Sequence, residues 1–143
     1  MMKKLLVVAL ATMMTQQAVA TNWVMVSEGS NGDFKDYIDL NNIQTDYLAN
    51  GTPVMTAWIR TELKQARDAG NGKKLWSIKS FINFDCHTRK WSVEYDVAYD
   101  KQGRVVGSGN YAHLNRYSSA DWQRAIPDTA SEIWLNTVCT YAN

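Results

Sequence analysis

From Lys74 to Asp100 the chain reads KLWSIKSFINFDCHTRKWSVEYDVAYD. In the first half Trp76, Ile78, Ile82, Phe84 and Cys86 fall on alternate positions, with Ser80 the polar member of that row. In the second half Trp91, Val93, Tyr95, Val97 and Tyr99 alternate with Ser92, Glu94, Asp96 and Ala98. Period-two alternation of β-branched and aromatic residues predicts two strands, each with one buried face. A helix would scatter the same residues around its circumference. The short polar segment His87-Thr88-Arg89-Lys90 between them predicts an antiparallel hairpin. The fold is decided here, because a long hairpin with one apolar face demands further strands beside it and a layer on top.

The flanking sequence supplies both. Strands are predicted over 22–28 (NWVMVSE), 36–40 (DYIDL), 53–63 (PVMTAWIRTEL) and 104–111 (RVVGSGNY). Breakers fill 29–35, Asn41-Asn42-Ile43 turns the chain, and Asn50-Gly51 and Lys101-Gln102-Gly103 are turn signals. Gly107 and Gly109 predict a bulge, an edge or a close backbone approach in the last strand. In the third strand Met55, Ala57, Ile59 and Leu63 oppose Val54, Thr56, Trp58, Arg60 and Glu62. Near the C-terminus Thr129-Ala130-Ser131-Glu132 has the form of a capping box. Ile133, Trp134, Thr137, Val138 and Tyr141 follow at helical spacing, predicting a helix over about 130–140 that lays Trp134 and Val138 on the sheet. The expected fold is therefore α+β: an antiparallel sheet of about six strands with a C-terminal helix packed on it.

The first twenty residues predict an export leader. Lys3 and Lys4 precede an apolar run to Met14, and Ala18-Val19-Ala20 is a small-residue cleavage site. The run is far shorter than the roughly 18 residues of a spanning helix, so no membrane span is expected. Cleavage after Ala20 leaves 21–143 as one domain. Thr21 rather than Cys follows the cut, so no bacterial lipid anchor is expected there. Basic and acidic residues nearly balance, 15 against 14, which gives no drive toward nucleic acid or anionic membrane. Two cysteines in an exported chain predict a Cys86–Cys139 disulfide joining the central hairpin to the helix. The alternative, a reactive Cys86 beside His87, fits neither export nor strand geometry, because neighbouring residues on a strand point to opposite faces.

No catalytic constellation is legible. His87 and His113 stand in no metal-ligand spacing, and Gly70-Asn71-Gly72 opens no helix that could seat a phosphate. An enzyme, a metal and a cofactor are therefore not expected. Asp85, Glu94 and Asp96 read as a solvated polar face of the hairpin. Of six tryptophans, Trp23, Trp76, Trp91 and Trp134 fit core faces, whereas Trp58 and Trp122 are less clearly inward. The segment 64–74 (KQARDAGNGKK) reads as a long polar loop, and its Lys64, Arg67, Lys73 and Lys74 are the candidate binding residues; the same residues also fit an ordinary solvated loop. Arg89 and Lys90 are expected at the opposite end of the hairpin.

Several of these landmarks together resemble the surface-adhesin protein E family of Gram-negative bacteria. They are Asn22-Trp23-Val24, Tyr37-Ile38-Asp39 with Ile43, Trp58, Phe84-Asp85-Cys86 before a basic turn and an aromatic strand, Ile126-Pro127, and Glu132, Trp134 and Val138-Cys139. The resemblance implies an antiparallel sheet with a C-terminal helix and one disulfide. It also implies a non-enzymatic adhesin that binds host extracellular-matrix proteins, vitronectin- or laminin-like, with a homodimer among its assemblies. The alternative is a soluble periplasmic protein that keeps the fold and binds an envelope partner.

Overall fold

The hairpin forms in the computed structural model, which describes residues 19–142. The expected leader, 1–20, lies outside the described residues except for its last two positions. Among the described residues eight strands occur: β1 (Trp23–Glu28), β2 (Phe34–Asp39), β3 (Gln44–Tyr47), β4 (Pro53–Asp68), β5 (Lys74–Asp85), β6 (Lys90–Tyr99), β7 (Val105–Asn110) and β8 (Gln123–Arg124). They make one antiparallel sheet in the order β1-β2-β4-β5-β6-β7, with β3 added to the start of β4 and β8 to the start of β6. A short helix α1 (Ala112–Asn115) and the C-terminal helix α2 (Ala130–Cys139) complete the order. The six-stranded path is the expected sheet. The pairs β3 and β8 and the single turn α1 are too short to leave a periodic signal.

Helix α2 packs on one face of the sheet, against β1, β4, β5 and β6. Its Leu135 and Val138 are wholly buried with Ile38, Met55, Ala57, Ile59, Ile82 and Phe84. The helical face is thus Leu135 and Val138. Ile133 and Tyr141, counted as inward from spacing, are 41% and 48% exposed. Trp134 is half-buried and meets Trp91 edge to face, 5.7 Å between ring centres. Its Nε1 donates to Asp36 Oδ2 at 3.0 Å, and the same buried carboxylate accepts from Ser27 Oγ at 2.8 Å and Thr61 Oγ1 at 2.6 Å. The cap differs from expectation as well. Thr129 is the N-cap residue but makes no side-chain cap bond; its Oγ1 donates to the Ile126 carbonyl at 2.6 Å instead. Asp128, immediately before Thr129, takes a positive φ of 63°. The Cys86–Cys139 disulfide ties α2 to the end of β5, with the two Cα atoms 5.8 Å apart.

Two further expectations change. The second arm of the hairpin does not keep one face throughout. Its register steps from Ile82↔Val93 to Phe81↔Tyr95, leaving Glu94 as an inserted residue. A bulge of this kind reverses the side on which every later residue points. Trp91 and Val93 face the helix, whereas Tyr95, Val97 and Tyr99 face away from it, opposite Phe81, Lys79 and Ser77. A count of alternate positions cannot see one added residue. The segment 64–74 is also not a loop. Strand β4 runs on to Asp68, with Arg67↔Leu75 and Asp68↔Lys74 paired beyond a register shift, and only a tight turn over 69–73 remains. Gly70, Asn71 and Gly72 all take positive φ there, the conformation this turn needs and glycine supplies without steric cost. Polar side chains on both faces of this ribbon masked its strand character.

Polar contacts fix the other end of the sheet. Asp85, expected to be solvated, is 2% exposed and accepts from Ser119 Oγ at 2.8 Å and from the His87 and Thr88 amides at 3.1 Å. Burial works to raise its pKa, but these hydrogen bonds outweigh burial and hold the carboxyl below its ordinary value. Arg116 bridges Asp46 on β3 at 2.8 Å and Glu94 on β6 at 3.0 Å. Trp122, less clearly inward from sequence, is buried with Leu48 and Val54.

Candidate functional site

The four basic residues singled out from sequence all reach the surface, but on two separate patches. Lys64 and Arg67 lie on the outer part of β4, where they border a shallow hollow with Asp33; the Lys64 Nζ donates to the Asn31 carbonyl at 3.0 Å. Lys73 ends the β4–β5 turn and Lys74 begins β5, and they border a different groove of about 600 Å³. Two cations that sequence reasoning did not single out join them: Lys101 and Arg104, from the β6–β7 turn. Trp76 also lines this groove, and the Lys101 Nζ sits 5.0 Å from the centre of its ring. The signal was available in the topology. In an antiparallel meander the start of β5 and the end of β6 share one end of the sheet, so the two turns must be neighbours.

The electrostatics of this basic end are lopsided. Arg104 Nε lies 2.8 Å from Asp100 Oδ2, and its amide and guanidinium hold that carboxyl below its ordinary value. This pair is internally balanced, so Lys73, Lys74 and Lys101 leave the groove net positive. Their ammonium groups are compact, well-hydrated donors on flexible stems. Such a site attracts an acidic partner at a distance and releases it in salt. Arg89 and Lys90 lie at the opposite end, as expected, and are engaged: Arg89 Nη2 donates to Asn136 Oδ1 at 2.9 Å and Lys90 Nζ to the Ala120 carbonyl at 2.8 Å.

The sheet face away from α2 is the second surface. It carries Trp23, Tyr37, Trp58, Phe81, Tyr95 and Tyr99, all half-buried. Trp58 lies 5.2 Å from Phe81 and 6.4 Å from Tyr95, centre to centre. The Arg60 guanidinium rests 4.6 Å from the Tyr37 ring and 4.9 Å from Trp23, and Lys79 Nζ lies 5.2 Å from Tyr99. Trp23, placed in the core from sequence, therefore belongs to this face. Trp76, also placed there, lines the basic groove. Cation–aromatic stacking of this kind fixes long side chains in an extended array. Trp, Tyr and Arg are also the residue types that anchor protein interfaces.

Among the described residues no group of three or more His, Cys, Asp or Glu is placed to hold a metal ion. No helix among them is long and apolar enough to cross a membrane. These surfaces present charge at one end and stacked rings on one face. Compared with known proteins, the chain matches the family model described as surface-adhesin protein E over residues 23–140. Neither the curated proteins nor the solved structures yield a significant match.

Proposed function

Because the chain belongs to the surface-adhesin protein E family, we propose that it is an exported, non-catalytic binding module for host extracellular-matrix proteins, vitronectin- or laminin-like, with first contact at the basic end. The observation that carries this reading is the convergence of Lys73, Lys74, Lys101 and Arg104 from two hairpins on one groove. An acidic segment of a matrix protein complements that groove in charge. The stacked face around Trp58 offers apolar contact area to the same partner.

The test compares two charge reversals in the folded, oxidised protein. One replaces Lys73, Lys74, Lys101 and Arg104 with Glu; the other replaces Lys64 and Arg67. Binding to immobilised vitronectin and laminin is measured at low and moderate salt, with the thermal transition of each variant alongside. The first set is expected to weaken binding about tenfold or more, since each exposed charge contributes about 0.2–1 kcal/mol. The second set is expected to act less. Equal affinity of a folded four-site variant and the parent would remove the basic end. No binding by the parent at either salt, with no surface labelling on intact cells, would favour a periplasmic envelope partner.

A further inference from the structure

Asparagine precedes glycine at Asn31-Gly32, Asn50-Gly51 and Asn71-Gly72. Each pair sits in a tight turn, but not at the same place in it. In the first two the glycine amide closes the turn: Gly32 donates to the Gly29 carbonyl at 3.0 Å, and Gly51 to the Leu48 carbonyl at 2.9 Å. In the third the closing bond comes one residue later, from the Lys73 amide to the Gly70 carbonyl at 3.1 Å. Asn71 and Gly72 are therefore the two central residues, with φ of 54° and 70°. The closing bond of a β-turn joins its outer residues and makes no use of the N–H between the central two. The Gly72 N–H has no acceptor among the described residues.

The asparagines themselves differ in the same sense. Asn50 Oδ1 accepts from the Thr52 amide at 3.0 Å, and the Asn50 amide donates to the Tyr117 carbonyl at 3.2 Å. The Asn31 carbonyl accepts from Lys64 Nζ at 3.0 Å. No such bond holds Asn71 among the described residues. Asn71, Gly72, Lys73 and Lys74 are all exposed. Nothing lies within 4 Å of where a Cβ on Gly72 would stand, so the space for a new ring is open.

We propose that Asn71 is a site of spontaneous deamidation, which places a carboxylate in the basic end of the sheet. The Gly72 nitrogen gives its proton to water or hydroxide and attacks Asn71 Cγ. The new C–N bond closes a five-membered imide as the Cγ–Nδ2 bond breaks and ammonia leaves. Water then opens the imide at either carbonyl, giving aspartate or isoaspartate at position 71. Glycine assists because it has no Cβ to shield its nitrogen. The ammonium groups of Lys73 and Lys74 follow closely in sequence, and positive charge favours loss of the amide proton. Both products are ionised at neutral pH, so each sets a negative charge beside Lys73 and Lys74. Isoaspartate also lengthens the main chain inside the turn. This chemistry is independent of matrix-protein binding.

The experiment incubates the folded, oxidised protein beside the same chain reduced and unfolded in guanidinium, at neutral and mildly alkaline pH. Peptide mass spectrometry follows amide loss at the three asparagines, isoaspartyl methyltransferase labelling identifies isoaspartate, and cation-exchange chromatography follows charge. In the unfolded chain all three are expected to react at similar rates, since glycine follows each. In the folded protein Asn71 is expected to stay near its unfolded rate, whereas Asn31 and Asn50 slow about tenfold, because each must first surrender the hydrogen bond of its glycine amide. The less cationic form should appear faster at alkaline pH, and Asn71→Gln, which would need a larger ring, should abolish it. The proposal is overturned if the folded protein loses amide first at Asn31 or Asn50, if Asn71 is slowed as much as they are, or if the less cationic form persists in Asn71→Gln.

Discussion

Replacing Trp134 with Phe tests how the helix is joined to the sheet. The indole N–H reaches Asp36, which is 1% exposed and also accepts from Ser27 and Thr61, so one carboxylate joins β1, β2, β4 and α2. Phenylalanine keeps an aromatic ring in contact with Trp91 but removes the donor. A hydrogen bond to a charged acceptor is worth about 1.5–3 kcal/mol. The smaller ring forfeits about 1 kcal/mol more, given that Trp134 is only half-buried. A loss of about 3 kcal/mol is therefore expected, on the order of a 10 °C fall in Tm for a chain of this length. Urea unfolding followed by far-UV circular dichroism, with the disulfide intact, measures it. In an Asp36→Asn background the same replacement should cost much less, because the two residues are coupled. A loss under about 0.5 kcal/mol in the parent background would refute the reasoning. It would mean that Leu135 and Val138 dock the helix without help and that two hydroxyls satisfy Asp36.

Two other outcomes follow from the same packing. The Cys86–Cys139 bridge closes a loop with a sequence separation of 53; removing it by the double replacement with Ser should cost about 4 kcal/mol by loop-closure entropy, and a change below about 1 kcal/mol in equilibrium unfolding would show that the helix pins itself. Asp46 and Asp85 both have folded pKa values below the ordinary one, Asp46 through the hydrogen bond from Arg116 and Asp85 through the donors that outweigh its burial. Their stabilisation is present above the unfolded carboxylate value of about 3.9 and is lost as pH falls through the folded values; Asp85→Asn should therefore flatten the acid limb of the stability curve, and an unchanged limb would count against the Asp85 network.

The central hairpin, the flanking strands, the C-terminal helix and the disulfide were legible in sequence because each rests on local pattern or on cysteine number. The errors share one cause. Where the chain departs from a repeating period by a single residue or runs polar on both faces, periodicity carries no information. The insertion at Glu94 sends Tyr95 to the face opposite Val93, and the polar outer ribbon of β4 and β5 reads as a loop. Capping boxes fail similarly: Thr129 has the right sequence context, but a nearby carbonyl takes its hydroxyl. For the basic groove, sequence singled out Lys73 and Lys74 as candidates but not Lys101 and Arg104, which are distant in sequence and adjacent only through the meander. The grouping of Trp91, Tyr111 and Trp122 was likewise invisible, since they come together only where β6 exchanges β8 for β7.

The two ends of the sheet differ in a way that bears on adhesion. At the β5–β6 turn the chain is anchored many times over. The disulfide holds Cys86, Ser119 holds Asp85, and Arg89 and Lys90 are spent on Asn136 and the Ala120 carbonyl. At the opposite end two tight turns present Lys73, Lys74 and Lys101 with few internal obligations. Charged side chains that already make hydrogen bonds within the fold have little left to give a partner, whereas exposed ones lose only their hydration and rotamer freedom. A rigid, cross-linked base with a free basic tip keeps the backbone cost of binding small, because the turns are already ordered by strand pairing. Partner affinity should therefore respond to charge at the tip and be nearly indifferent to charge at the anchored end, where Arg89→Gln would register as a change in stability instead.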